Sequence, residues 1–393
     1  MKHTKFRFLA LVLALVFGIM SFTSCGGTKT PAKDDTKKDD SGSKADTTTS
    51  DTFLIGGIGP LTGDAATYGQ SVNLGAKLAI EEINKAGGVT GKTFKMAFED
   101  DQASEEKGVS AYNKLMDQKI NVLMGSVTSG SCIAVAAESV KDGILQITPS
   151  GSAKDCTKND NAFRVCFTDP LQGQLMAKYI KDKGLKSVAI IYDVSDEYSK
   201  GITEAFVAKA KEIGLKVVTQ ESFTKGDVDF KTQLTKIKST DADSLFLPIY
   251  YTQAGYISEQ AASVGLKIPY FGCDGWDGII DQLKGNTKNI EGATFLTPFI
   301  ASSEKQNVKD FVAAFKAKYN KTPDQFAADG YDTIYVIKAA LEKAGKTDSA
   351  ALIKAMTQIK VSGVTGDMTF DASGEPNKSA MVAIIKNGKY TAE

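Results

Sequence analysis

From Thr52 onward the chain alternates short apolar strands with amphipathic helical segments, and it does so in two successive rounds. The run from Phe53 to Ile58 is a first strand. In the next segment, over about 71–86, Val72, Ala76, Ala79, Ile80 and Ile83 share one helical face, and Gly87-Gly88 stops the helix. Phe94, Met96 and Phe98 then alternate as in a half-buried strand. The spacing predicts helices over about 105–118 and 131–141, followed by strands at 120–124 and 144–148. After Pro170 the pattern restarts. Helices near 171–183, 198–213, 230–238 and 252–264 interleave with strands near 187–192, 215–223, 244–248 and 270–272. Residues 305–357 read as mainly helical, with late strands near Met368 and 382–386. The implied fold class is α/β, with two doubly wound, mostly parallel sheets. At 393 residues the chain is long enough for two separate cores.

What precedes Thr52 is of another kind. Lys2, Lys5 and Arg7 give a positive start, an apolar run follows from Phe8 to Met20, and small residues lead to Cys25. Residues 1–24 therefore read as a signal peptide, and the run is shorter than the roughly 20 apolar residues of a membrane span. Phe22-Thr23-Ser24-Cys25-Gly26-Gly27 resembles a bacterial lipoprotein processing site, with Phe22 where leucine is preferred. That resemblance implies lipidation at Cys25. Residues 28–51 lack aromatic and large aliphatic side chains, so they cannot bury enough apolar surface to order themselves. We expect 25–51 to act as a polar leash.

Composition narrows the chemistry. Lys plus Arg equals Asp plus Glu at 47 each, which gives no support to nucleic acid as a partner. The single histidine, His3, lies inside the signal segment, so His-based triads and His-ligated metals are unavailable to the mature chain. No metal or cofactor is expected. Gly57-Ile58-Gly59-Pro60-Leu61-Thr62-Gly63 misses the dinucleotide fingerprint: its third glycine falls one place late and a proline interrupts the turn. A loop at the mouth of a cleft fits it better.

Ligands of open α/β sheets bind beyond the carboxyl ends of the strands. Two loops there are rich in donors. Gly125-Ser126-Val127-Thr128-Ser129-Gly130-Ser131 opens a helix, and helix N-termini receive anions such as carboxylates. The plain alternative is N-capping by Ser129 or Ser131. Thr148-Pro149-Ser150-Gly151-Ser152 ends the next strand on the same edge. In the second round, Asp274 sits in Gly272-Cys273-Asp274-Gly275-Trp276, where it is placed to pair with an ammonium or to cap a helix. Cys132, Cys156, Cys166 and Cys273 show no zinc or redox spacing. Cys156 and Cys166 flank a polar excursion that a disulfide would close outside the cytoplasm, although four cysteines allow three complete pairings and the sequence selects none.

Ile58-Gly59-Pro60-Leu61-Thr62-Gly63, the stretch Ala79-Ile80-Glu81-Glu82-Ile83-Asn84-Lys85-Ala86-Gly87-Gly88, Glu99-Asp100-Asp101, the serine loop, Thr148-Pro149-Ser150, and Tyr198 with Gly201 carry a family resemblance. From Phe53 to its end the chain resembles type I periplasmic solute-binding proteins, nearest to the leucine/isoleucine/valine-binding proteins of branched-chain amino-acid ABC importers. The resemblance implies two lobes, 52–167 plus 299–373 and 168–298 plus 374–393, joined by a three-strand hinge. It implies that Ser129, with Val127 and Thr128 beside it, and Ser152 bind an amino acid's carboxylate. A carbonyl near Ser150 and Gly151, together with Asp274 beside Trp276, would hold the ammonium. Tyr198 and Tyr250 or Tyr251 would close from the second lobe, and Tyr68 and Phe326 would meet the ligand side chain. Asp274 is shorter than the family's usual glutamate, and no cysteine between Cys25 and Cys132 supplies the family's first-lobe disulfide. The implied partners are an amino acid, the membrane subunits of an ABC permease and, through Cys25, the membrane, on the periplasmic or outer face of the cell. A ligand-sensing receptor for an amide, urea or another small solute is the competing reading. An enzyme is disfavoured by the broken glycine fingerprint and the lack of mature histidine.

Overall fold

The computed structural model describes residues 51–393. The expected signal peptide, the anchor Cys25 and all but the last residue of the leash lie outside the described residues.

The first round supplies β1 (Thr52–Gly59), α1 (Ala66–Lys85), β2 (Thr93–Asp100), α2 (Glu105–Asp117), β3 (Val122–Met124), α3 (Ser129–Asp142), β4 (Gln146–Thr148) and β5 (Ala162–Arg164). Its five strands pair in the order β2-β1-β3-β4-β5, all parallel. Strand alternation divides the side chains between two cores. Phe53, Ile55, Val122 and Met124 pack with Val72, Ala76 and Ala79 of α1. Ile58 and Leu123 face the other way, onto Ala111, Tyr112 and Leu115 of α2 and Val135 of α3.

The second round supplies α4 (Asp169–Asp182), β6 (Ser187–Asp193), α5 (Glu197–Ile213), β7 (Lys216–Phe223), α6 (Lys231–Lys238), β8 (Ser244–Leu247), α7 (Tyr251–Ser263), β9 (Tyr270–Gly272), the short α8 (Ile279–Gln282) and β10 (Thr294–Thr297). Here Val188, Ile190 and Phe246 pack on α4 and α5 through Met176, Ile180, Ile202 and Phe206. Their strand neighbours Ala189, Ile191, Leu245 and Leu247 face Leu234 and Ile237 of α6 and Ala254 and Ile257 of α7. Both sheets are thus covered on both faces, as parallel sheets require.

The chain then runs through α9 (Gln306–Tyr319), α10 (Gln325–Ala344), α11 (Ser349–Met356), the hairpin β11 (Lys360–Gly363) and β12 (Gly366–Thr369), and finally β13 (Met381–Lys386) and β14 (Lys389–Ala392). The second sheet has the order β14-β13-β10-β9-β8-β6-β7, with β13 antiparallel to both neighbours. Helix α10 returns to pack on α1. The two helices approach so closely that a Cβ on Gly75 would sit 1.9 Å from the Ala327 carbonyl oxygen, and one on Gly330 would sit 2.3 Å from that of Val72.

Four strands go beyond the sequence expectation: β5, β10, β11 and β14. Each has only three or four residues, too few to show alternation. The expected strand near Met368 belongs to the separate β11–β12 hairpin rather than to either large sheet.

The expected Cys156–Cys166 disulfide is absent. All four described cysteines are buried free thiols. Strand β5 runs between the two positions and separates them. Cys156 lies on a 3-10 turn (Lys154–Thr157) and faces α3, where its thiol contacts the Ser129 carbonyl at 3.8 Å. Cys166 emerges beyond β5, where Arg164, Asp329 and Asp274 are the charged groups acting on it.

Candidate functional site

Strands β3 and β4 are three residues long, fully buried, and run straight into the two serine loops. Ser129 is the first residue of α3, and its N-terminal neighbour Thr128 makes no side-chain cap. The Ser129 hydroxyl does not cap its own helix. It accepts hydrogen bonds from the backbone N–H of Ser152 at 3.2 Å and of Ala153 at 3.1 Å. Ser131 donates to the Asp101 carboxylate at 2.7 Å. Simple capping therefore explains neither serine. With its lone pairs engaged, Ser129 keeps its O–H proton to donate. The first N–H groups of α3 have no intrahelical acceptor and carry the positive end of the helix dipole. An anion fits this wall.

The two loops are tied together within the lobe. Ser150 donates to the Val127 carbonyl at 2.7 Å, and Thr148 Oγ1 donates to the Ser126 carbonyl at 2.6 Å while accepting from Gly151 N–H at 2.7 Å. Beneath them lies Arg164, fully buried on β5. Its guanidinium donates to the carbonyls of Gly151 (2.9 Å), Ala153 (3.0 Å) and Lys154 (3.3 Å), and to Thr157 Oγ1 (3.0 Å). Its Nε pairs with Glu375 at 3.0 Å. One side chain thus fixes the loop that presents Ser152.

The opposite wall begins at the end of β9. Asp274 opens a 3-10 turn, Asp274–Trp276, and is not a helix cap. Its carboxylate accepts from the Tyr198 hydroxyl at 2.7 Å, and its N–H donates to Gln172 Oε1 at 3.0 Å. Its carbonyl accepts from Gln325 Nε2 at 2.5 Å. Burial pushes the Asp274 carboxyl up to about 6, against the opposing pull of the Tyr198 and Gln172 hydrogen bonds. A carboxylate in that position is stabilised by a cation brought to it. Tyr198 stacks on Tyr250, with ring centroids 4.9 Å apart. From the first lobe, Tyr68 stacks on Phe326 at 4.1 Å and donates its hydroxyl to the Gly275 carbonyl at 2.5 Å.

Tyr68, Val127, Thr128, Ser129, Ser150, Tyr198, Tyr250, Asp274 and Phe326 line one small internal space, together with Gly275. Gly151, Ser152, Tyr251 and Trp276 do not line it. Gly151 serves Arg164, and the Ser152 N–H is taken by Ser129. Tyr251 packs against the Tyr68 ring from behind and donates its N–H to the Tyr68 hydroxyl. Trp276 is a core residue: its ring fills the place of a Gly272 side chain, and its indole N–H donates to the Leu247 carbonyl at 2.9 Å. A wider opening beside the space runs from Asp64 and Glu105 to Asp196, Lys225 and Gln253. Burial raises Asp196 there to about 7, helped by Asp193. The Pro60–Thr62 stretch of the glycine loop is pinned by Asp100, which accepts from Leu61 N–H at 2.8 Å and Thr62 Oγ1 at 2.6 Å.

Sequence reasoning missed Gly275, Gln172, Arg164 and Asp169. A side chain at Gly275 would meet the Tyr198 hydroxyl at 2.8 Å, so glycine keeps the turn open. Asp169, the first residue of α4, is fully buried, and neither carboxylate oxygen has a hydrogen-bond partner of ordinary geometry. Burial drives its carboxyl well above the usual range, and the nearby Ser152 hydroxyl is the main influence pulling it back. Asp-Pro at a helix start gives no hint of this.

The arrangement offers hydroxyl and amide donors at one end, a buried carboxylate at the other, and aromatic walls between. The periplasmic binding protein family matches residues 52–389. A Leu/Ile/Val-binding protein homolog 3 of Brucella melitensis is 35% identical, covering 82% of this chain and 88% of that protein. A leucine-, isoleucine-, valine-, threonine- and alanine-binding protein of Pseudomonas aeruginosa is 30% identical, over 83% and 87%. The branched-chain amino-acid transporter substrate-binding protein LivJ of Streptococcus pneumoniae, solved in complex with isoleucine, superposes with a TM-score of 0.81. It is 32% identical and covers 87% of this chain and 98% of its own. The family binds solutes and is not enzymatic. With the fold, the two-walled site and these relatives in agreement, the chain belongs to the type I periplasmic binding proteins, among the Leu/Ile/Val-binding proteins.

Proposed function

We propose that the protein captures an aliphatic, branched-chain amino acid between its lobes and delivers it to the membrane permease of an ABC importer. The observation that carries this reading is the opposite preference of the two ends of one space. Asp274, buried and with its carboxyl pushed up by that burial, calls for an ammonium. Ser129 and the start of α3 call for a carboxylate. Val127, Tyr68 and Phe326 offer apolar surface to the side chain between them. The Brucella and Pseudomonas relatives, named for branched-chain ligands, support the same class. In this reading 52–167 plus 299–373 move as one body against 168–298 plus 374–393, with the three crossings as the hinge. Lipid on Cys25 holds the exported protein at the membrane, facing the periplasm or the cell exterior.

A thermal-shift panel of common amino acids, small amides, urea and purines tests the ligand class. A ligand at about 100 times its dissociation constant stabilises by about 2.7 kcal/mol. Leucine, isoleucine or valine should give the largest shift. Silence toward every amino acid, with a response to an amide or nucleoside, would overturn the reading.

A further inference from the structure

The four buried thiols are not equivalent. Cys132 and Cys156 pack together with Ala153 in a small apolar cluster of their own, and the Cys156 thiol contacts the carbonyl of Ser129, which opens the helix that carries Cys132. Both are inaccessible to solvent. Cys166 and Cys273 are not part of that cluster. Of the three complete pairings the sequence allows, only the one joining 132 to 156 brings together cysteines that share one packed cluster.

Their positions give the contact a purpose. Cys132 lies three residues after Ser129, in the first turn of α3. Cys156 lies on the 3-10 turn that follows Ser152 and Ala153, the residues whose N–H groups bind the Ser129 hydroxyl. The pair therefore sits directly beneath the junction of the two carboxylate-binding loops. We propose that in the exported protein Cys132 and Cys156 form a disulfide that clasps these loops together, leaving Cys166 and Cys273 as thiols.

The chemistry is a two-electron oxidation. Each thiol loses a proton, the two sulfurs join, and two electrons pass to a disulfide-bearing oxidant of the extracytoplasmic compartment, which leaves as a dithiol. One cysteine thiolate attacks that disulfide to form a mixed disulfide, and the second displaces the carrier. Because both sulfurs are sealed in the folded lobe, oxidation precedes or accompanies folding. The link closes a loop short enough to restrict the unfolded chain without crossing between lobes.

The test is a linkage map of the full chain exported to an oxidising compartment, with free thiols alkylated during denaturation. Tryptic cleavage places the four cysteines on separate peptides, 120–141, 155–158, 165–178 and 268–284. The expected result is peptide 120–141 joined to 155–158, two hydrogens lighter than the sum, with Cys166 and Cys273 alkylated. Four alkylated cysteines, or a link involving Cys166 or Cys273, would overturn the proposal. A second measurement guards against incomplete oxidation. The thermal midpoint of the parent should fall on reduction, and that of C132A/C156A should not respond. An equal fall in both proteins counts against the clasp. Neither readout depends on which solute binds, so failure here is distinct from failure of the ligand assignment.

Discussion

On the first-lobe wall, Ser129, Thr148 and Ser150 keep their hydrogen bonds among neighbours of the same lobe, and Arg164 adds an ion pair to Glu375 in the chain's last segment. On the opposite wall, the groups nearest the ligand space are met from across the cleft. Gln325 reaches the Asp274 carbonyl, and Tyr68 reaches both Gly275 and Tyr251. Thr252 and Lys225 add further bonds to the carbonyls of Asp64 and Ala103. The serine loops of the first wall hold each other, whereas the second wall is also met by Gln325 and Tyr68 from the first lobe. Pre-organisation lowers the cost of binding on one side; in the proposed reading, the other side couples binding to lobe closure.

Changes to the two walls should fail differently. The largest effect is expected for Asp274→Asn, which keeps the shape and removes the charge. Affinity for the amino acid should fall by about 3 kcal/mol, somewhat over 100-fold. The ligand-free thermal midpoint should hold or rise, because a buried carboxyl of unfavourable ionisation is gone. Calorimetry showing unchanged affinity would place the ammonium elsewhere. Next is Arg164→Met, which leaves three carbonyls and Glu375 without their donor. We expect a loss of about 3 kcal/mol in stability and about a tenfold weaker affinity, measured by denaturant unfolding and titration. A stable variant that binds normally would mean that the loop holds its form without the guanidinium.

The smallest effect concerns pH and Tyr198. The folded Asp274 carboxyl lies near 6, above an unfolded value of about 3.9. Without ligand, this group's stabilising contribution is therefore complete below the unfolded value and lost as pH rises through about 6. A bound ammonium reverses the preference. Affinity should be level at neutral pH and decline below about 6, by at most about tenfold per pH unit. Asp169, Asp277 and Asp329 are other buried acids near this side and Asp196 is half-buried; all four are raised. Tyr198→Phe removes a hydrogen bond worth about 1 kcal/mol, so binding should weaken several-fold and the decline should begin at a higher pH. A decline that stays in place in this variant would assign the titration to another carboxyl.

Much of this was legible in the sequence, for physical reasons. Helices of thirteen or more residues such as α1 and α5 carry a full apolar face, and the buried parallel strands read as apolar runs. The serine loops and Asp274 stood out because hydroxyls and a carboxylate at strand ends have few other uses. Arg164 did not stand out. Its strand, Ala162–Arg164, has no period to read, and the carbonyls it holds are invisible to side-chain patterns. Trp276 misled for the opposite reason: a lone tryptophan beside Asp274 suggested a ligand contact, yet Gly272 leaves room for its ring in the core. The cysteine pairing went astray because closeness in sequence was read as closeness in space, with β5 unrecognised between the two residues.

Arg164 and Glu375 are 211 positions apart in the chain. Gly275 receives its bond from Tyr68, 207 positions earlier. Contacts of such separation form late, because distant segments must be brought together before they are rewarded. In chain order, all of the first sheet and strands β6–β10 of the second precede Glu375, the serine loop's last tie. Binding competence arrives with nearly the final residues, and a chain cut short before Glu375 leaves its central arginine without its counter-ion.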